Sequence, residues 1–156
     1  SLDNRLARTG GGMDWLLWSD EVTELMNDFW PRIDTILMGR KTYEVAMAGA
    51  SPDDAGANPY GDMNTYIFSR TLTPGPLAGG AEIIGDDVGK FVGKLKQEDG
   101  KDICVMGGGD LARSMFEAGV IDEIGLNIHP ILLGSVFRFF TICPIRSTLS
   151  CSNANR

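Results

Sequence analysis

The chain has 156 residues, 43% of them hydrophobic and 22% charged, with a net charge of −7. That length suits a single domain with a real core. The acidic balance without a basic stripe excludes a nucleic-acid surface, and no apolar run approaches the roughly 20 residues of a membrane-spanning helix. Cys104, Cys143 and Cys151 make neither a metal-ligand spacing nor a disulfide framework, which fits a reducing, cytoplasmic setting.

Ser1–Arg8 (SLDNRLAR) reads as a turn and a short extended segment before the loop Thr9-Gly10-Gly11-Gly12. Ser19–Trp30 places Val22, Leu25, Met26, Phe29 and Trp30 at helical spacing, with Ser19 as N-cap, acids in the first turn and Pro31 as the stop. Ile33–Met38 predicts a buried strand ending at Gly39, followed by a helix over Arg40–Met47. Gly49–Asp62, rich in Gly, Pro, Asp and Asn, is a loop. Asn64–Ser69 is a strand, Thr71–Gly80 a Pro/Gly connection and Ala81–Ile84 a further strand. Val88, Phe91, Val92 and Leu95 mark a helix capped by Asp86 or Asp87.

Ile103–Met106 then leads through Gly107, Gly108 and Gly109 into a helix with Leu111, Ala112, Met115 and Phe116 on one face and Gly119 as its C-cap. Without Cβ atoms in the way, backbone N–H groups at such a helix start can approach an anion that the helix dipole favours. An ordinary tight turn between strand and helix has the same appearance. Glu123–His129 alternates Ile124, Leu126 and Ile128 with Gly125, Asn127 and His129, the pattern of a half-buried strand. Strands alternating with helices predict an α/β fold: a mostly parallel central sheet with helices on both faces.

SLDNRLAR, DTILMGRKTYE, YIFSRTL, ICVMGGGDLA and IDEIGLNIHPILLG, in that order, resemble the bacterial dihydrofolate reductase-like family. The similarity is closest to its branch containing the reductase domain of riboflavin biosynthesis. It implies a three-layer fold and an NADPH-dependent hydride transfer to a pyrimidine- or pterin-like heterocycle, such as 5-amino-6-(5-phosphoribosylamino)uracil. By that resemblance Gly39, Arg40, Lys41 and Thr42 begin a helix that holds cofactor phosphate, for which two cations and a hydroxyl are suited. Ser69 and Arg70 resemble the clamp on the adenosine 2′-phosphate. Gly107 and Gly108 resemble a glycine pair joined by a cis peptide, with Gly109, Asp110 and Leu111 completing the cofactor loop. Leu6 and Ala7 resemble the positions flanking the nicotinamide, and Asn4 stands where the family usually has Gly. A homodimer and a small-molecule substrate are further implications.

Dihydrofolate reductases proper use a carboxylate on the first helix. Of Asp20, Glu21, Glu24 and Asp28, only Glu21 lies at the edge of the apolar face, so it is the candidate proton donor against a plain solvated face. Residues 42–69 contain no Lys or Arg to hold a folate glutamate tail, and a phosphorylated substrate would have only Arg5, Arg8 and Arg32. His129 reads as structural, and no metal site is expected.

The resemblance covers residues 1–135 as one domain and then breaks. Family members carry a strand before Ser-Leu-Asp, and this sequence starts after it. Residues 136–156 contain no acid and read as a tail in a shifted frame, since moving the frame by one base can restore the family's Pro-Leu-Phe. The sheet is therefore expected without its first and last strands. Two rival readings follow: a non-catalytic nucleotide-binding module, and an inactive fragment of such a reductase.

Overall fold

The centre of the domain is β1 (Ile33–Gly39), in which Ile36, Leu37 and Met38 are fully buried. Each such side chain contributes about 1.5–3 kcal/mol by leaving water, so this run fixes the sheet. The computed structural model describes residues 1–3, 5–8, 12–48, 58 and 60–134. β1 pairs in parallel with β2 (Asn64–Phe68) on one side and β5 (Asp102–Met106) on the other. β4 (Ala81–Ile84) adds in parallel to β2, and the two-residue β3 (Gly75–Pro76) adds antiparallel to β4. The order across the sheet is β3-β4-β2-β1-β5.

Alternation along β1 separates two cores. Leu37 packs with Phe68 and Ile84 against α3 (Val88–Leu95) and α4 (Gly109–Glu117), through Val92, Leu111 and Met115. Ile36 and Met38 join Ile67 and Ala81 on the opposite face. That face is covered by Tyr43 of α2 (Arg40–Ala48) and by Phe29 at the end of α1 (Asp20–Phe29), next to Trp30. The outcome is the expected α/β arrangement in three layers.

The helix termini follow local rules. Ser19 Oγ accepts the Val22 N–H at the start of α1, and Asp87 Oδ1 accepts the Lys90 N–H at 2.9 Å at the start of α3. α4 ends with Gly119 at φ 67°, whose N–H donates to Phe116 O while the Val120 N–H reaches Met115 O. These are the paired bonds of a Schellman cap.

Several expectations are corrected. Residues 123–129 form no strand: alternation reports which side chains want burial, but a strand also needs a ladder partner, and the structure gives this segment none among the described residues. No peptide bond among the described residues is cis. At the Gly107–Gly108 turn the bend comes from Gly107 at φ 141°, a conformation that glycine reaches without isomerisation. The connection 71–80 contains the edge strand β3, which two residues are too few to announce by periodicity. The apolar side of α1 is also left without a fully buried residue, and Leu25 is 62% exposed. Its Val22, Leu25, Met26 and Phe29 line a groove of about 1120 Å³ together with Ile103, Val105 and Met115. The tail from residue 135, Asn4, Cys143, Cys151 and most of the loop over residues 49–62 lie outside the described residues.

Candidate functional site

From β1 the chain moves outward through α2 to β2 and β4, then returns through α3 to β5 on the other side of β1. The strand order therefore reverses between β1 and β5, and a ligand crevice is expected beyond the carboxyl ends of strands at such a switch point. The helices that leave these two strands begin there: α2 at Arg40, directly after β1, and α4 at Gly109, with two residues between it and β5.

The register brings the selected residues to the same end of the sheet, within one step of each other. Met38 is level with Ile67 of β2 and Met106 of β5, and Gly39 is level with Phe68, itself level with Ile84. Gly107, one step past Met106, comes at the level of Gly39 and Phe68, and Arg40 and Ser69 follow one step later. Adjacent strands lie about 4.8 Å apart, so the Ser69–Arg70 corner is roughly 10 Å across the edge from Gly107, a span suited to an extended dinucleotide. The two helix starts touch directly. A Cβ on Gly107 would stand 2.7 Å from Thr42 Oγ1, a separation that real Cβ atoms do not reach. Gly107 is thus glycine for two reasons, its φ and the seat of Thr42. No side chain caps α4 at Gly108, so its first N–H groups are not engaged by a capping residue.

The individual side chains differ in readiness. Thr42 is half-buried, and Lys41 and Arg70 are exposed; neither cation forms an ion pair among the described residues. Arg40 donates to Glu44 Oε1 at 2.5 Å, an i,i+4 pair legible in the sequence but absent from the expectation. An anion here would compete with Glu44. Ser69 is buried, and its Oγ accepts the N–H groups of Thr71 (3.2 Å) and Leu72 (3.0 Å). It shapes the corner that presents Arg70, a short hydroxyl turn that Ser-Arg-Thr could have signalled. Asp110 is exposed in the first turn of α4. The Leu111 side chain is core, so only its backbone is available to a ligand.

Leu6 and Ala7 are half-buried between two fastened stretches. On one side Ser1 Oγ bonds both the N–H and the C=O of Arg5, at 2.7 and 2.9 Å. On the other, Arg8 pairs with Asp14 at 3.2 Å. The described contacts tie this segment to residues 131–134 rather than to the ends of the strands.

Glu21 is exposed on α1, and the Ser19 hydroxyl holds its carboxyl below the ordinary value. Such a group is ionised at neutral pH and poorly suited to donate a proton. The buried polar side chains among the described residues are Thr35, Thr65, Ser69 and His129, with no carboxylate. His129 Nδ1 accepts the Leu17 N–H at 3.4 Å, and its ring meets Trp15 edge to face. Arg32 pairs with Asp102 at 2.8 Å before β1 begins. It lies the length of a seven-residue strand, roughly 20 Å, from the crevice. Among the described residues no cluster of His, Cys, Asp and Glu has the makings of a metal site, and no helix is long and apolar enough to cross a membrane.

Residues 1–154 match the family described as the RibD C-terminal domain. Two proteins of Bacillus subtilis (strain 168) are similar. One is the uncharacterised protein YyaP, 32% identical over 140 residues covering 86% of this chain and 72% of that protein. The other is the uncharacterised protein YwjB, 32% identical over 142 residues covering 90% of this chain and 78% of that protein.

Proposed function

The chain belongs to the RibD C-terminal domain family, whose fold is dihydrofolate reductase-like, and from that premise we propose that it is an NADPH-dependent reductase of a pyrimidine- or pterin-like heterocycle. The observation that carries this reading is the contact of two glycine-led helix starts at the switch point, Gly39-Arg40-Lys41-Thr42 and Gly107-Gly108-Gly109. These residues suit a pyrophosphate: helix N–H groups without a side-chain cap, the Thr42 hydroxyl and two cations all belong to the two helix starts beside the switch point. NADPH, when bound, supplies the hydride.

The protein's part is binding and orientation. Thr42 and the backbone at residues 107–111 hold the central phosphates, with Lys41 and Arg40 adding charge once Arg40 exchanges Glu44 for the ligand. Arg70, held out by the Ser69 turn, pairs with the 2′-phosphate that distinguishes NADPH from NADH. Leu6 and Ala7 flank the nicotinamide. A phosphorylated substrate finds little support, since Arg8 and Arg32 are already paired with Asp14 and Asp102.

Replacing Arg70 tests the assignment. In Arg70→Ala the affinity for NADPH falls about tenfold or more, as for loss of a charge-assisted contact, while that for NADH is unchanged. Equal effects on both cofactors would remove Arg70 from the clamp. A second reading, nucleotide binding without catalysis, is favoured by one observation: no carboxylate is buried among the described residues. Binding of NADPH without its oxidation in the presence of a dihydropterin or an aminopyrimidine would select it.

A further inference from the structure

Asp3 stands out among the residues that the cofactor reading does not use. Its Oδ1 and Oδ2 both accept the Leu133 N–H at 3.1 Å, and Oδ2 also accepts the Gly134 N–H at 2.7 Å. One residue earlier, the Leu2 N–H donates to Ile131 O at 2.9 Å. Gly134 has φ 75°, in the left-handed region, so consecutive N–H groups converge on one carboxylate. Partial desolvation works against ionisation, but the N–H groups of Leu133 and Gly134 and the Ser1 hydroxyl outweigh it and hold the carboxyl at about 2. The Ser1 hydroxyl also closes the turn onto Arg5 through two bonds, so the rigidity extends to the residue before Leu6.

We infer that Asp3 is a positioning residue: by gripping the backbone of residues 133 and 134 it fixes where the Leu6–Ala7 segment stands. This rests on the reading of Leu6 and Ala7 as the nicotinamide flank. Without Asp3 the segment loses its carboxylate grip on residues 133 and 134, and the loop samples other placements. Apparent affinity then falls by the fraction of molecules in which the flank is formed. The loss is confined to the nicotinamide half, because the phosphate and adenosine groups are held from the ends of β1, β2 and β5.

The test uses the full chain with two probes, NADPH and adenosine 2′,5′-bisphosphate, which carries the 2′-phosphate but no nicotinamide. Each is titrated against wild type, Asp3→Ala and Asp3→Asn. The expected result is an NADPH Kd raised about tenfold in Asp3→Ala and about threefold in Asp3→Asn, which keeps one acceptor oxygen. The bisphosphate Kd stays the same in all three. An Asp3→Ala protein that binds NADPH as wild type does would overturn the positioning role while leaving the cofactor reading standing. Equal weakening of both probes, in Asp3→Asn as well, would make Asp3 a general structural residue and overturn it too. Wild type that binds neither probe would overturn the cofactor reading itself, and this inference with it.

Discussion

At the scale of single residues, the site depends on two devices of different kinds. Gly107 works by lacking a side chain. Gly107→Ala places a methyl 2.7 Å from Thr42 Oγ1 at a backbone φ of 141°, and the expected loss of stability is about 1–3 kcal/mol by denaturant unfolding. Adding Thr42→Ala should recover only part of it, because removing the hydroxyl relieves the collision and not the strain. Full recovery would mean that φ is not a constraint. Asp3 works by its charge. Its folded value, about 2, lies below the ordinary value of 3.8, so its contribution is present above about pH 4 and disappears as pH falls towards 2. Wild type should therefore melt above Asp3→Asn at pH 7 and converge with it in acid; a gap independent of pH would refute the linkage. Gly107 was legible because a glycine run after a β-branched strand implies close approach of something. Asp3 was not, because its partners lie about 130 residues away and are backbone groups, which leave no mark in the sequence.

Between elements, glycine decides how closely helices approach. A Cβ on Gly89 of α3 would meet Ala118 Cβ, just past α4, at 2.6 Å, whereas one on Gly93 would have nothing within 4 Å. Helix propensity favours Ala at either position by about 1 kcal/mol at most. At Gly89 the overpacking cost of about 1–3 kcal/mol wins. Gly93→Ala should raise the melting temperature and Gly89→Ala lower it; the same sign for both would contradict this packing of α3 on α4. The helix boundaries themselves could be read from caps at Ser19, at Asp86 or Asp87, and at Gly119, since capping is local chemistry; the structure selects Asp87. The strand expected over Glu123–His129 could not, because pairing is decided by what lies alongside. The amphipathic pattern of α1 was legible in the same way, but the sequence could not reveal that its apolar side borders a groove and packs on the core only at its end, through Phe29.

For the whole molecule, an acidic chain places Arg40, Lys41 and Arg70 along one edge of its sheet, at the carboxyl ends of neighbouring strands. That placement follows from the strand order, in which β5 returns beside β1. Local patterns could suggest four of the strands and the parallel class, but not the order. The switch point, and with it the contact between Thr42 and Gly107, emerges only in three dimensions. Membership of the RibD C-terminal domain family agrees with this architecture and leaves the substrate to experiment. The most direct measurement is a thermal melt of the full chain with NADPH, with NADH and with neither. A ligand bound only by the folded state adds about 2.7 kcal/mol at a hundredfold excess over Kd, or roughly 5–10 °C for a domain of this size. A rise of that order with NADPH and little with NADH is the expected result. A cooperative melt that neither nucleotide moves would contradict the reductase assignment.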